Sequence, residues 1–102
     1  MQIEHIVRAI ELGRVNITTH ARIEAGNDGL KIGEILFSVR CGMIIEDYPD
    51  DKPYPSCLIF GNTKLAEPVH SVWAYDDGGG IAVIITVYRP DPRRWIDWKK
   101  RR

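Results

Sequence analysis

The sequence predicts an α+β fold, with helices first and an antiparallel sheet second, on three observations. Apolar residues recur at helical spacing through the first 42 positions. From Met43 onward they come instead in short, β-branched runs. Clusters of Gly, Asp, Asn and Pro separate those runs and suit tight turns. At 102 residues and 44% hydrophobic, the chain is sized for one core and therefore one domain.

Ile3, Ile6, Val7 and Ile10 form one apolar stripe of a helix over residues 2–12, and Gly13 stands where a left-handed C-terminal cap is wanted. Thr18 or Thr19 caps a second, short helix running through His20–Ala25 and stopping at Gly26-Asn27-Asp28-Gly29. Ile32, Ile35, Leu36 and Val39 repeat the helical spacing, with Gly42 as the stop. Strands are expected over Met43–Tyr48, Ser56–Phe60, Val69–Tyr75 and Ile81–Tyr88, joined as a four-stranded antiparallel meander. Ile81–Tyr88 is apolar at almost every position, which places it centrally. Beyond Pro90-Asp91-Pro92, residues 93–100 are expected to form a last helical turn or two, with Trp95 pinning the tail to the sheet.

A formal net charge of zero hides a segregation. Residues 1–88 hold seven Lys/Arg against twelve Asp/Glu, a net of −5, while residues 89–102 hold seven against two, a net of +5. A basic end beside an acidic body suits a polyanion or an acidic protein partner. No apolar stretch approaches the roughly 20 residues of a membrane span, and no secretory signal is readable, so no membrane association and a cytoplasmic location are expected. Cys41, Cys57, His20 and His70 include the ligand types for zinc but none of its close spacings, so no metal and no cofactor is expected. Nucleophile-elbow, zincin, calcium-loop and phosphate-loop patterns are absent as well.

His20 and Arg22 open a short helix, where backbone N–H groups already favour an anion, and together they would hold a phosphate. Strand alternation puts His70, Val72 and Ala74 on one face and Val69, Ser71, Trp73 and Tyr75 on the other. If the last two strands pair, His70 meets Thr86 or Tyr88. His20, Arg22, His70, Tyr88 and Arg89 would supply a proton acceptor, a proton donor and cations, the parts that metal-independent phosphodiester cleavage requires. In the tail, Trp98 suits stacking on an unpaired base, and Arg93, Arg94, Lys99, Lys100, Arg101 and Arg102 suit the phosphates.

The ordered set His20-Ala21-Arg22, Ile44-Ile45-Glu46-Asp47-Tyr48-Pro49, Cys57-Leu58-Ile59-Phe60-Gly61, Pro68-Val69-His70 and Thr86-Val87-Tyr88 followed by Pro90-Asp91-Pro92 and Trp95 resembles the bacterial domain-of-unknown-function family 4258. The resemblance covers residues 15–95, leaving residues 1–14 as a helical extension and 96–102 as a basic tail. That family is regarded as similar to the RelE-like toxins of toxin–antitoxin systems. The resemblance implies a compact α+β ribonuclease in which the ribose 2′-hydroxyl attacks the adjacent phosphate, and it implies a cognate antitoxin protein. On matching positions it makes His20 and His70 acid/base candidates, Arg22 a phosphate clamp and Tyr88 a supporting donor. The competing reading is a catalytically silent protein-interaction module in which each histidine is structural. A third is a homo-oligomer joined through a strand edge or the tail.

Overall fold

A computed structural model describes all residues, Met1–Arg102. Three helices, α1 (Ile3–Glu11), α2 (Thr19–Asn27) and α3 (Ile32–Arg40), pack on a sheet built from β1 (Val15–Ile17), β2 (Met43–Tyr48), β3 (Ser56–Asn62), β4 (Pro68–Asp76) and β5 (Ile81–Tyr88). The sheet order is β1-β5-β4-β3-β2, and β6 (Trp95–Ile96) and β7 (Lys100–Arg101) form a separate two-stranded sheet. None of the helices is long and apolar enough to cross a membrane.

This corrects the expected four-stranded antiparallel sheet with N-terminal helices. β2 to β5 do pair antiparallel in chain order. A fifth strand, β1, lies between α1 and α2 in the chain and joins β5 in parallel, Val15 opposite Ala82 and Ile17 opposite Ile84, so the sheet is mixed. Three residues are too few to show alternation, and their partner lies far along the chain, so no local signal marks β1. The tail is corrected too: it is a hairpin rather than a helix, because Asp97 and Trp98 adopt φ of 51° and 66° and reverse the chain between β6 and β7.

Local chemistry explains the helix ends. Gly13, at φ 71°, follows α1 in the left-handed region. The Thr18 hydroxyl accepts from the Ala21 N–H at 3.1 Å to start α2. The Glu34 carboxylate accepts from the Lys31 N–H at 2.9 Å to start α3. α3 lies so close to β3 that a Cβ on Gly61 would stand 1.8 Å from the Ser38 carbonyl oxygen, so only glycine fits there.

The helices bury Ile6, Ala9, Ile10, Ala21, Ala25, Ile35 and Val39 against Cys57, Ile59, Val69, Trp73, Ala82, Ile84 and Val87 in one apolar core. Burial pushes the Cys57 thiol up to about 12, so it is an uncharged core residue. Since β1 pairs only with Ala82–Ile84, the outer edge of β5 beyond it needs other partners. α2 supplies them: Glu24 accepts from the Val87 N–H at 3.4 Å and Asp28 from the Arg89 N–H at 2.8 Å. Thr18 adds a hydroxyl bond to the Ile85 carbonyl at 3.2 Å.

Candidate functional site

The register aligns Phe60, His70 and Tyr88 in one row across β3, β4 and β5, on the face away from the helices. The tail closes over this row. Trp95 meets the His70 ring edge-on with centroids 4.5 Å apart, and Phe60 and Tyr88 flank the imidazole at 6.0 and 5.2 Å. Trp95 therefore pins the tail, as expected.

His70 is fully buried and both ring nitrogens are bonded: Nε2 to the Trp98 carbonyl at 2.6 Å and Nδ1 to the Tyr88 hydroxyl at 3.1 Å. A carbonyl only accepts, so Nε2 carries the hydrogen. In the neutral ring Nδ1 is then an acceptor, and Tyr88 donates to it. Burial holds the imidazole below its ordinary pKa despite the Trp98 carbonyl and the nearby Glu46 charge, which keeps it neutral. The phenol of Tyr88 is pushed up, chiefly by burial. With its proton committed to His70, the Tyr88 oxygen has its lone pairs left for an incoming donor.

Tyr88 opens onto a cleft of about 650 Å³ lined by Trp95, Asp91 and five arginines: Arg89, Arg93, Arg94, Arg101 and Arg102. Arg93 is bound to Asp91 at 3.0 Å, and Arg101 grips Glu46 with two bonds of 2.7 and 3.1 Å while lying 4.7 Å over the Trp95 ring. Bonding to Arg101 holds the Glu46 carboxyl below its usual range. Glu46 also takes the hydroxyl of Tyr48, whose phenol is pushed up to about 12 by burial and by that carboxylate. Arg89 is fixed through the Asp28 carbonyl at 2.8 Å, with Glu67 3.8 Å away. The Arg94 side chain has no bonded partner, and Arg102 Nε bonds only the Pro92 carbonyl at 2.9 Å, so these two guanidiniums keep their charge for a ligand.

The remaining candidates lie elsewhere. His20 is exposed and bonded to Glu24 at 3.1 Å. Glu24 also takes the Thr86 hydroxyl, so His20 is tied to β5 two residues from Tyr88 without touching Tyr88 or His70. Arg22 stands two residues after His20, which is about 200° around a helix. It is exposed on the other flank of α2 and makes no side-chain bond, so the expected His20/Arg22 phosphate clamp is not assembled. Trp98 contributes its carbonyl to His70, and Lys99 and Lys100 project outside the cleft. Arg101 and Arg102, at the end of the same basic run, do line it. No group of three or more His, Cys, Asp or Glu side chains comes together as a metal site.

The family model described as "Domain of unknown function (DUF4258)" matches residues 17–89, from the end of β1 through Arg89. The chain belongs to this family. The DUF4258 match spans α2, α3 and the meander, including His20, His70 and Tyr88, and leaves α1 and the tail hairpin outside. No curated protein and no solved structure matches the chain.

Proposed function

We propose that the protein is a metal-independent endoribonuclease of the toxin type, which seats the RNA phosphate backbone in the arginine cleft. The observation that carries this reading is the Tyr88 phenol, held at a cationic cleft with its own proton pointed at a buried, neutral imidazole. Arg94 and Arg102 take the phosphate oxygens. The ribose 2′-hydroxyl gives its proton to the Tyr88 oxygen as the Tyr88 proton passes to His70 Nδ1, and the Trp98 carbonyl holds the resulting imidazolium. A bond forms from the 2′-oxygen to phosphorus and the bond to the 5′-oxygen breaks. Water protonates the leaving oxygen, giving a 2′,3′-cyclic phosphate and a 5′-hydroxyl, while the guanidiniums stabilise the charge of the phosphorane.

This assignment moves Tyr88 from donor to acceptor and His70 from direct base to the group behind it. His20, oriented by Glu24, borders the same strand as a second proton carrier. The likeness to RelE-like toxins enters here, as shared chemistry, together with a cognate antitoxin protein whose acidic segment would cover the cleft.

The test is cleavage of a single-stranded RNA by the purified protein in the presence of a chelator, beside the same strand carrying 2′-deoxyribose. Cyclic-phosphate products from the ribose strand alone are expected, with Tyr88→Phe lowering the rate by about 10²–10⁴-fold. Bound but uncut RNA would replace the enzyme by an RNA-binding module. Neither binding nor cleavage would leave the silent protein-interaction module, the reading favoured by a His70 with no free ring nitrogen.

A further inference from the structure

The charge segregation along the chain has a spatial counterpart. β4 and β5 pair from His70 opposite Tyr88 to Asp76 opposite Ile81. The arginine cleft and the turn after Asp76 therefore occupy opposite ends of one hairpin, about 20 Å apart at roughly 3.3 Å per residue. The turn is slender, since Asp77 is followed by Gly78, Gly79 and Gly80. Asp77 is exposed and its carboxylate has no bonded partner, while Asp76 is bonded only to the Gly79 N–H, at 3.2 Å. At the other end, the Arg94 guanidinium is free in an open cleft of about 650 Å³.

The geometry points to head-to-tail self-association, in which the Asp76–Asp77 tip of one copy enters the arginine cleft of a second copy. Carboxylate on guanidinium is the strong, geometrically matched pairing, and Arg94 and Arg102 are its receivers. A tip cannot reach the cleft at the far end of its own hairpin, so the contact joins two different surfaces. Such a contact leaves a free tip and a free cleft on every assembly and grows unless it closes into a ring. It goes beyond the ribonuclease reading and does not depend on it, because the same cations accept carboxylates whether or not RNA binds.

Light scattering on the full chain without RNA tests it. At low ionic strength the average mass rises above the 11.6 kDa monomer with concentration, and molar salt returns it to the monomer. Asp77→Lys and Arg94→Glu, both at exposed side chains without bonded partners, each give a monomer. An equimolar mixture of the two variants associates again, since the intact Asp77 tip of one fits the intact Arg94 cleft of the other and the two reversed charges are themselves opposite. Asp77→Asn and Arg94→Gln weaken the association in the same direction by less. A wild type that stays monomeric at every concentration, oligomers that persist in either charge-reversed variant, or a mixture that stays monomeric would each overturn the proposal.

Discussion

On the helix side of the sheet, β3, β4 and β5 present Cys57, Ile59, Val69, Trp73, Ala82, Ile84 and Val87 to a continuous apolar core. On the other side the same strands present Phe60, His70 and Tyr88 to a short tail hairpin, which the Trp95–His70 ring contact and the bond from His70 to the Trp98 carbonyl hold in place. The first side is held by burial, which is non-directional and scales with apolar area. The second is held by groups that each need one particular partner. Trp73 and His70 show the contrast: three residues apart on β4, both fully buried, one fills space and the other spans Tyr88 and Trp98. One strand thus carries apolar packing on one face and directed hydrogen bonds on the other.

If burial alone sets the helix side, Trp73→Ala is the largest single loss, about 3–5 kcal/mol, read as a lower urea midpoint with the cleft's anion affinity unchanged per folded molecule. A loss under about 1 kcal/mol would break the comparison. On the tail side, His70→Ala leaves the Trp98 carbonyl and the Tyr88 hydroxyl unpartnered and costs about 1–3 kcal/mol. Its distinctive readout is faster proteolysis within residues 90–102, with β3 to β5 keeping their amide protection; uniform loss of protection would merge the two sides.

Acid sharpens the contrast further. The folded-state pKa of His70 lies below its ordinary 6.5, so the unfolded chain takes up the proton first. Stability contributed by the neutral imidazole is complete above pH 6.5 and is lost as pH falls from there through the depressed folded value. Glu46, also depressed, adds a second loss as pH falls below its ordinary 4.5. Thermal melting against pH should show the upper loss in the wild type and lack it in His70→Gln; a slope identical in both proteins would assign it elsewhere. The smallest effect belongs to Arg101→Ala: the Arg101 side chain is largely exposed, so stability changes by about 1 kcal/mol or less while the salt dependence of anion binding falls.

The helices and the four meander strands were legible because each carries its own period, and Gly13 and Thr18 marked ends by their backbone chemistry. β1 and the tail were not. Val15-Asn16-Ile17 is a strand only because β5 is beside it, and Trp98 lies in the left-handed region with its carbonyl bonded to His70, a partner 28 positions away. In the site, strand alternation reduced the partners of His70 to Thr86 or Tyr88, and Tyr88 is the one bonded. Glu24 was missed although its spacing of four from His20 is a helix-face signal. The separation of His20 from Arg22 was equally present in the turn angle of a helix. The cleft itself required the reversal at Asp97 and Trp98, which no residue type announces.

The pairing of β1 with β5 also orders events during synthesis. The Thr18 hydroxyl and the Ile85 carbonyl it binds are 67 positions apart. A ribosome adding 5–20 residues per second therefore leaves the first segment without its strand partner for roughly 3–13 s. During that interval α1 and Val15–Ile17 are an apolar helix and a bare strand edge on a nascent chain. The early part of this protein is the part that waits, and its exposure to chaperones is set by the speed of translation rather than by its own folding rate.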